Sequence, residues 1–306
     1  MGIVVIGDVF IDIKGYSVSA YIPQGRNVGT IAKIHGGVGR NVVEDIANIE
    51  LEPTFVSSVD DDAMGEEVIQ KLKRHKVNTQ YVRKVKDGMG TWLAVFDHEG
   101  DVVASVSKRP DHSTIERILD EHGDEIFKDA DSIVIEIDLE KEIVKKTFHY
   151  AEKYGKKVYA IVSNMSIAIE RRDCIRRTAC FVCNQQEAGI LFSEDYENLS
   201  AKELAEVLPE RIRNARIPQM VVTMGGEGAV YADAEGNQGI YPALKVDVVD
   251  TTGAGDAFFA GVCVGLTYGK TLREACGIGT RLASTVICTS ENICPRFMPE
   301  EFGLTR

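Results

Sequence analysis

The sequence predicts a three-layer α/β fold: a mostly parallel central sheet flanked by helices, with a small β-sheet beside it. Two observations predict it. Short β-branched runs alternate with amphipathic stretches along the chain, the pattern of parallel strands joined by helical crossovers. Two segments, about 12–35 and 88–106, break that rhythm with strand-like alternation. At 306 residues, 44% hydrophobic and 27% charged, the chain has the length and apolar content for a single domain, 1–306, with a sizeable core.

Ile3 to Ile6 reads as the first strand. Asp8 follows too soon, and no basic residue precedes it, for a signal peptide. Further strands read at Thr54 to Ser58, Ser132 to Ile137, Lys157 to Val162, Cys180 to Val182 and Met220 to Thr223. Helical periodicity reads at Val42 to Ile49, Gly65 to His75, Lys141 to Tyr154, Ala201 to Ala215, Ala257 to Leu266 and Leu272 to Cys288. In the second irregular segment, Thr91 to Phe96 and Asp101 to Val106 flank Asp97-His98-Glu99-Gly100, a hairpin signal. The two segments bracket the first Gly-rich stretch, so a small antiparallel sheet reads as a lid over a substrate; a homodimer surface is compatible with the same sheet.

A formal net charge of −12 excludes a general nucleic-acid or anionic-membrane binder, either of which needs a positive field. An anionic ligand must therefore be held by local features. The longest apolar run, Ala257 to Leu266, is about half the ~20 residues of a membrane span. Seven dispersed cysteines lack the density of a secreted disulfide scaffold, and a reducing cytoplasm is expected. Cys180 and Cys183 form one C-x-x-C without further zinc ligands at suitable spacing, so they read as structural thiols.

The most informative string is Asp250-Thr251-Thr252-Gly253-Ala254-Gly255-Asp256-Ala257-Phe258-Phe259-Ala260-Gly261. Small residues at a helix start aim free N–H groups at one spot, where the macrodipole adds positive potential. Asp256 stands there as a base for a substrate hydroxyl, while the turn 253–255 steadies a phosphoryl group. That pairing is the equipment of a small-molecule kinase. His35-Gly36-Gly37-Val38-Gly39-Arg40-Asn41 precedes a helix; Asn41 either caps it or binds a sugar hydroxyl. Thr223-Met224-Gly225-Gly226-Glu227-Gly228 follows a strand; it suits a nucleotide at the sheet's carboxyl edge and equally a hairpin into Ala229-Val230-Tyr231. Gly269-Lys270-Thr271 lacks the earlier glycine of a P-loop, and no G-x-G-x-x-G occurs.

Gly36-Gly37 with Asn41, Asn184-x-x-Glu187, Thr223-x-Gly225-x-x-Gly228 and the Asp250–Gly261 string occur together in an order that resembles ribokinase-like (PfkB) carbohydrate kinases, over roughly residues 3–295. The resemblance implies the ribokinase-like fold with its lid, and an ATP-dependent phosphotransferase acting on a sugar or nucleoside hydroxymethyl group. It implies Asp256 as base and Gly253, Ala254 and Gly255 as the anion hole. Asp12, Gly36, Gly37, Asn41 and Asp138 match sugar-binding positions. Asn184 and Glu187 match the pair that organises Mg2+ and its waters around ATP; Thr223, Gly225 and Gly228 match the nucleotide turn, with the segment around Gly277 to Cys288 beside it. Asp250 and Thr252 match positions near a K+ ion in some members.

Within the family the chain is similar to pseudouridine kinases through Asp12-Ile13-Lys14-Gly15-Tyr16 and the Gly36–Asn41 segment, which implies 5′ phosphorylation of pseudouridine. Ala160-Ile161 stands where many relatives carry an Asp-Pro-type pair, and Phe10 replaces a polar residue that often faces the sugar. Arg40 reads as a contact to a base carbonyl or substrate phosphate, or as an i,i+4 ion pair with Glu44. A phosphosugar or another nucleoside as acceptor points to Arg40, Lys14 and Lys108. A non-catalytic sugar sensor on the same fold is the remaining alternative.

Overall fold

The structure is a computed structural model and describes residues 2–304. The chain starts with β1 (Ile3–Ile6), β2 (Phe10–Ser17), β3 (Gly29–Gly36), α1 (Val38–Ala47), β4 (Thr54–Asp60), α2 (Ala63–Arg74), β5 (Asn78–Val85), β6 (Gly90–Phe96) and β7 (Val102–Lys108). It continues through α3 (Ser113–Lys128), β8 (Ser132–Glu136), α4 (Lys141–Lys153), β9 (Lys157–Ile161), α5 (Met165–Ala168), α6 (Arg172–Ile175), β10 (Cys180–Asn184) and α7 (Gln185–Phe192). The last third is α8 (Ala201–Ala215), β11 (Gln219–Thr223), β12 (Ala229–Asp233), β13 (Gln238–Tyr241), α9 (Ala254–Thr267) and α10 (Leu272–Val286).

Nine strands form the main sheet in the order β13-β12-β11-β10-β9-β8-β1-β4-β5. All its pairings are parallel except β11 with β12 and β12 with β13. Strand β1 is buried at every position because alternate residues serve opposite faces. Ile3 and Val5 enter the core under α1, α2, α9 and α10, whereas Val4 and Ile6 enter the core under α3, α4 and α8. Both faces are thus covered, giving the expected three layers. From β1 the chain runs to β4 and β5 on one side and to β8 through β11 on the other. A reversal of this kind opens a crevice at the carboxyl ends of the strands.

The second sheet has the order β3-β2-β6-β7. Its outer pairs are antiparallel as expected, but β2 and β6 are parallel. The reason is topological: the chain traverses α1, β4, α2 and β5 between them, and a long crossover brings the second strand back in the same direction. The predicted hairpin turn is present, with Asp97 Oδ1 accepting from the N–H groups of Glu99 and Asp101, both at 2.9 Å.

Helix α9 is buried from Ala257 to Gly265, which its small residues permit. A Cβ at Gly261 would lie 2.6 Å from Gly279 Cα, and one at Gly265 would lie 2.8 Å from Ala275 Cα. The α9–α10 pair therefore packs backbone against backbone and fixes where the N-terminus of α9 emerges. Helix α3 was not expected from the sequence; Gly123 at its middle lies under the Tyr150 ring of α4, where a side chain would push the two helices apart. Among the described residues no helix is long and apolar enough to cross a membrane, and all seven cysteines are free.

Candidate active site

The carboxyl ends of β1, β8, β10 and β11 and the N-termini of α1, α7 and α9 bring the predicted residues to one edge of the main sheet. Gly37 and Gly253 cap α1 and α9 with positive φ, 94° and 83°. Glycine is needed at 253 twice over, since the left-handed region disfavours a side chain and a Cβ would collide with the Asn292 carbonyl. These caps aim the first turns of α1 and α9 at each other. Asn41 Nδ2 donates to Asp256 Oδ2 at 2.6 Å.

Asp256 is only partly buried, so its carboxylate is not sealed inside. Desolvation raises its pKa to about 7, against the lowering effects of the Asn41 hydrogen bond and of Arg40; Asp12 and Glu187 add to the rise. A carboxylate poised near neutrality suits a general base. Beside it, Gly255 is exposed with open space where a Cβ would stand. The Ala254 N–H turns back to the Thr251 carbonyl at 3.2 Å. Ala254 is therefore the pivot of the anion turn and not one of its donors, a correction to the expected set. Among the described residues, the N–H groups of Gly253, Gly255 and Asp256 have no protein acceptor.

On the lid side, Asp12 is partly buried with a carboxyl raised by burial and lowered by Lys14 and Arg40. Gly36 exists to admit it, because a Cβ there would collide with the Asp12 carboxylate. Phe10 lays its ring over Gly90, whose Cβ would meet Phe10 Cε2 at 2.6 Å; it closes the base of the lid.

Two predicted substrate contacts are corrected. Arg40 is fully buried. It donates to the Gly36 carbonyl at 3.3 Å, to Glu44 Oε1 at 3.1 Å and to the His35 carbonyl. The i,i+4 ion pair has taken it, and it braces the Gly36–Asn41 segment from behind. Asp138 is 2% exposed. It accepts from the Ser163 N–H at 3.0 Å, the Ser163 hydroxyl at 2.7 Å and the Asn164 N–H at 3.1 Å, so it shapes the cleft floor and presents no free carboxylate to a sugar.

Glu136 was overlooked. Fully desolvated and raised well above the usual carboxyl range by burial, then by Asp8 and Asp138, it accepts from the N–H groups of Asp8 at 2.6 Å and Gly39 at 2.8 Å. One buried acid thereby ties the end of β1 to the start of α1. Its signal was an acidic residue closing an otherwise apolar strand.

Asn184 and Glu187 form a reciprocal capping box on α7: Asn184 Oδ1 accepts from the Glu187 N–H at 2.8 Å and Glu187 Oε2 from the Asn184 N–H at 2.7 Å. Burial and the nearby Asp138 raise the Glu187 carboxyl, while the Asn184 N–H opposes the rise. A hard divalent cation fits this gathering of oxygen donors and negative charge. The Thr223–Gly228 segment makes the tight turn between β11 and β12, with Thr223 registered against Ala229. The hairpin reading of that segment holds; Gly225 and Gly226 face open space, whereas Gly228 packs under the Tyr241 carbonyl.

The side-chain oxygens of Asp250 and Thr252, expected near a monovalent cation, already face other partners. Asp250 Oδ1 accepts from the Thr252 N–H at 2.8 Å, and the Lys14 ammonium sits 3.3 Å from Thr252 Oγ1 and 4.0 Å from Asp250 Oδ2.

The pattern of the pfkB family carbohydrate kinases matches residues 2–295. The guanosine-inosine kinase of Exiguobacterium acetylicum is 35% identical over 292 residues, 95% of each chain. The pseudouridine kinase of Escherichia coli (strain K12) is 26% identical, over 92% of this chain and 90% of its own. Ribokinase of Arabidopsis thaliana, solved with ribose and ATP, superposes with a TM-score of 0.81 at 20% identity, covering 96% of this chain and 95% of that one.

Proposed function

This chain belongs to the pfkB family of carbohydrate kinases, and we propose that it transfers the γ-phosphoryl group of ATP to the 5′-hydroxymethyl group of a nucleoside, purine nucleosides first. It is an ATP-dependent carbohydrate or nucleoside kinase. The observation that carries the residue roles is the Asn41–Asp256 hydrogen bond beside the open turn at Gly255. Asp256 takes the proton of the acceptor hydroxyl as its oxygen bonds to the γ-phosphorus. The bond from that phosphorus to the bridging oxygen breaks, and ADP leaves with the electron pair. The N–H groups of Gly253, Gly255 and Asp256 neutralise the oxygens of the moving phosphoryl. Asn41 aims the base and Asp12 binds sugar hydroxyls. Thr223, Gly225 and Gly228 border the nucleotide, and Asn184 and Glu187 are the residues that would hold Mg2+. When bound, that ion supplies neutralisation of phosphate charge.

The nucleoside reading rests on the lid. Strand register puts Tyr16, Trp92 and Phe96 on the face that carries Asp12. Tyr16 and Phe96 stack at 4.9 Å, and Trp92 meets Phe96 edge-on at 6.3 Å. A partly exposed aromatic shelf next to a hydroxyl-binding carboxylate suits a planar base on a sugar. The similarity to a guanosine-inosine kinase supports purines ahead of the pseudouridine expected from the sequence. The opposite lid face exposes Ile31 at 77%, Leu93 at 42% and Val106 at 70%, which supports a homodimer joined through the lids. The free cysteines support a reducing cytoplasm.

The test is an ADP-release screen of inosine, guanosine, pseudouridine, ribose and fructose, with the product's phosphate position read by NMR. Trp92 is the only tryptophan, so quenching of its fluorescence reports the base directly. Nucleosides are expected to be turned over at the 5′ position and to quench Trp92. Preferential turnover of a free sugar refutes the nucleoside reading, and quenching without any ADP release favours a sensor.

A further inference from the structure

We propose that the Lys14 ammonium, carried by lid strand β2, replaces a free monovalent cation at the Asp250–Thr252 loop, so that the lid itself holds the approach to the anion turn and phosphoryl transfer is independent of potassium. The inference rests on the kinase reading and not on which acceptor is used.

Alternation along β2 turns Phe10, Asp12, Lys14 and Tyr16 to one face, and Lys14 is 4% exposed. A lysine that deep must exchange its hydration for partners. Those it has are the Thr252 hydroxyl at 3.3 Å and Asp250 Oδ2 at 4.0 Å; Asp12 also feels its charge. Burial pushes the Asp250 carboxyl up, but the Thr252 N–H and hydroxyl, together with Lys14, bring it below its ordinary value. It is thus an ionised partner for the ammonium.

The loop is gripped from behind as well. The Val249 N–H donates to the Ile287 carbonyl at 2.7 Å, just past α10. Between these two holds the chain passes from Thr252 straight into Gly253 and the free N–H groups. A mobile inorganic ion placed here would order the loop whatever the position of the lid. A lysine on β2 orders it only while the lid strand lies over the cleft, which couples closure to assembly of the anion turn. Lys14 is therefore a positioning residue.

The test compares kcat with the best acceptor in potassium chloride and in tetramethylammonium chloride at equal ionic strength. The wild-type enzyme is expected to agree within about twofold between salts, whereas Lys14→Met loses about tenfold or more in tetramethylammonium. Potassium then restores the variant by about threefold or more, because the vacated Thr252 and Asp250 oxygens become available. Thermal unfolding without substrate provides a second readout: only the variant's Tm rises in potassium. Wild-type activation of about fivefold or more by potassium overturns the proposal. So does a variant with wild-type activity in both salts. Should Lys14→Met fail to fold by circular dichroism, the wild-type comparison decides alone. A missing acceptor would leave the thermal comparison intact, so failure of the nucleoside reading is distinguishable.

Discussion

Replacing Asp256 by Asn separates activity from stability in opposite directions. The side chain keeps its shape, and Asn41 Nδ2 still has an oxygen to donate to, so the geometry at 2.6 Å is preserved. What disappears is the base. General-base removal costs about 10²–10⁴-fold in kcat, roughly 3–5 kcal/mol of transition-state stabilisation. Stability moves the other way. Asp256 has a folded pKa of about 7 against an ordinary 3.8. Its raised value favours the folded state at acid pH, and that contribution is lost as pH climbs through about 7. Above that pH the folded chain carries an ionised, poorly solvated carboxylate. Converted in full, the difference is about 4 kcal/mol; partial exposure screens the charge, and about 2 kcal/mol is the working magnitude. Asp256→Asn is therefore expected to melt a few degrees higher than wild type at pH 8 and higher by about two fifths of that difference at pH 5, because the loss begins at the ordinary value of 3.8. Calorimetry at both pH values and a coupled ADP assay measure the two effects. A variant that keeps more than about a tenth of wild-type kcat, or that melts lower at pH 8, refutes the reasoning.

Asn41→Ala removes the donor that lowers the Asp256 pKa. A hydrogen bond to a charged group is worth about 1.5–3 kcal/mol, so the acid limb of kcat/KM should move up by about one pH unit or more; an unmoved limb would detach Asn41 from the base. Arg40→Met leaves Glu44 buried with only Lys71 at 3.7 Å and His75 at 3.9 Å nearby. It should lower unfolding free energy by about 3 kcal/mol in denaturant titration while changing the acceptor KM by no more than about threefold; a large KM effect at wild-type stability would restore the substrate-contact reading. Glu187→Gln keeps a residue fit for the capping box but loses a negative charge, and a magnesium titration of kcat should shift its midpoint about tenfold upward.

Six strands of the main sheet, β1, β4 and β8 to β11, were legible because each is a short apolar run with a buried centre, as in Ile3 to Ile6 and Cys180 to Val182; β5 and β13 were not, because they are partly exposed and carry polar residues. Ala201–Ala215 appears as a helix with the bounds its periodicity predicted, sharpened by a Ser200 and Glu203 capping box. Helix α3 was not legible, since Gly123 and dense charge hide its apolar stripe until the packing against Tyr150 is seen. The parallel pairing of β2 with β6 lies beyond local pattern, because register between strands about 80 residues apart is decided by the intervening domain. In the site, Asp256 and Asn41 meet as their motifs suggested. Arg40, Asp138 and Lys14 were misread or underread for one reason: a charged residue in a motif looks exposed in sequence, and only packing reveals which charges are already matched. Glu44 beside Arg40 and the Ser163–Asn164 turn beside Asp138 are those matches.

The most direct measurement of the central claim is the pH dependence of kcat/KM for the acceptor at saturating MgATP. With Asp256 as the base, log kcat/KM rises with unit slope through the acid range, bends at about 7 and stays level above it, and the limb disappears in Asp256→Asn. A wild-type profile that runs flat down to pH ~5, or a limb that survives the substitution, contradicts the account.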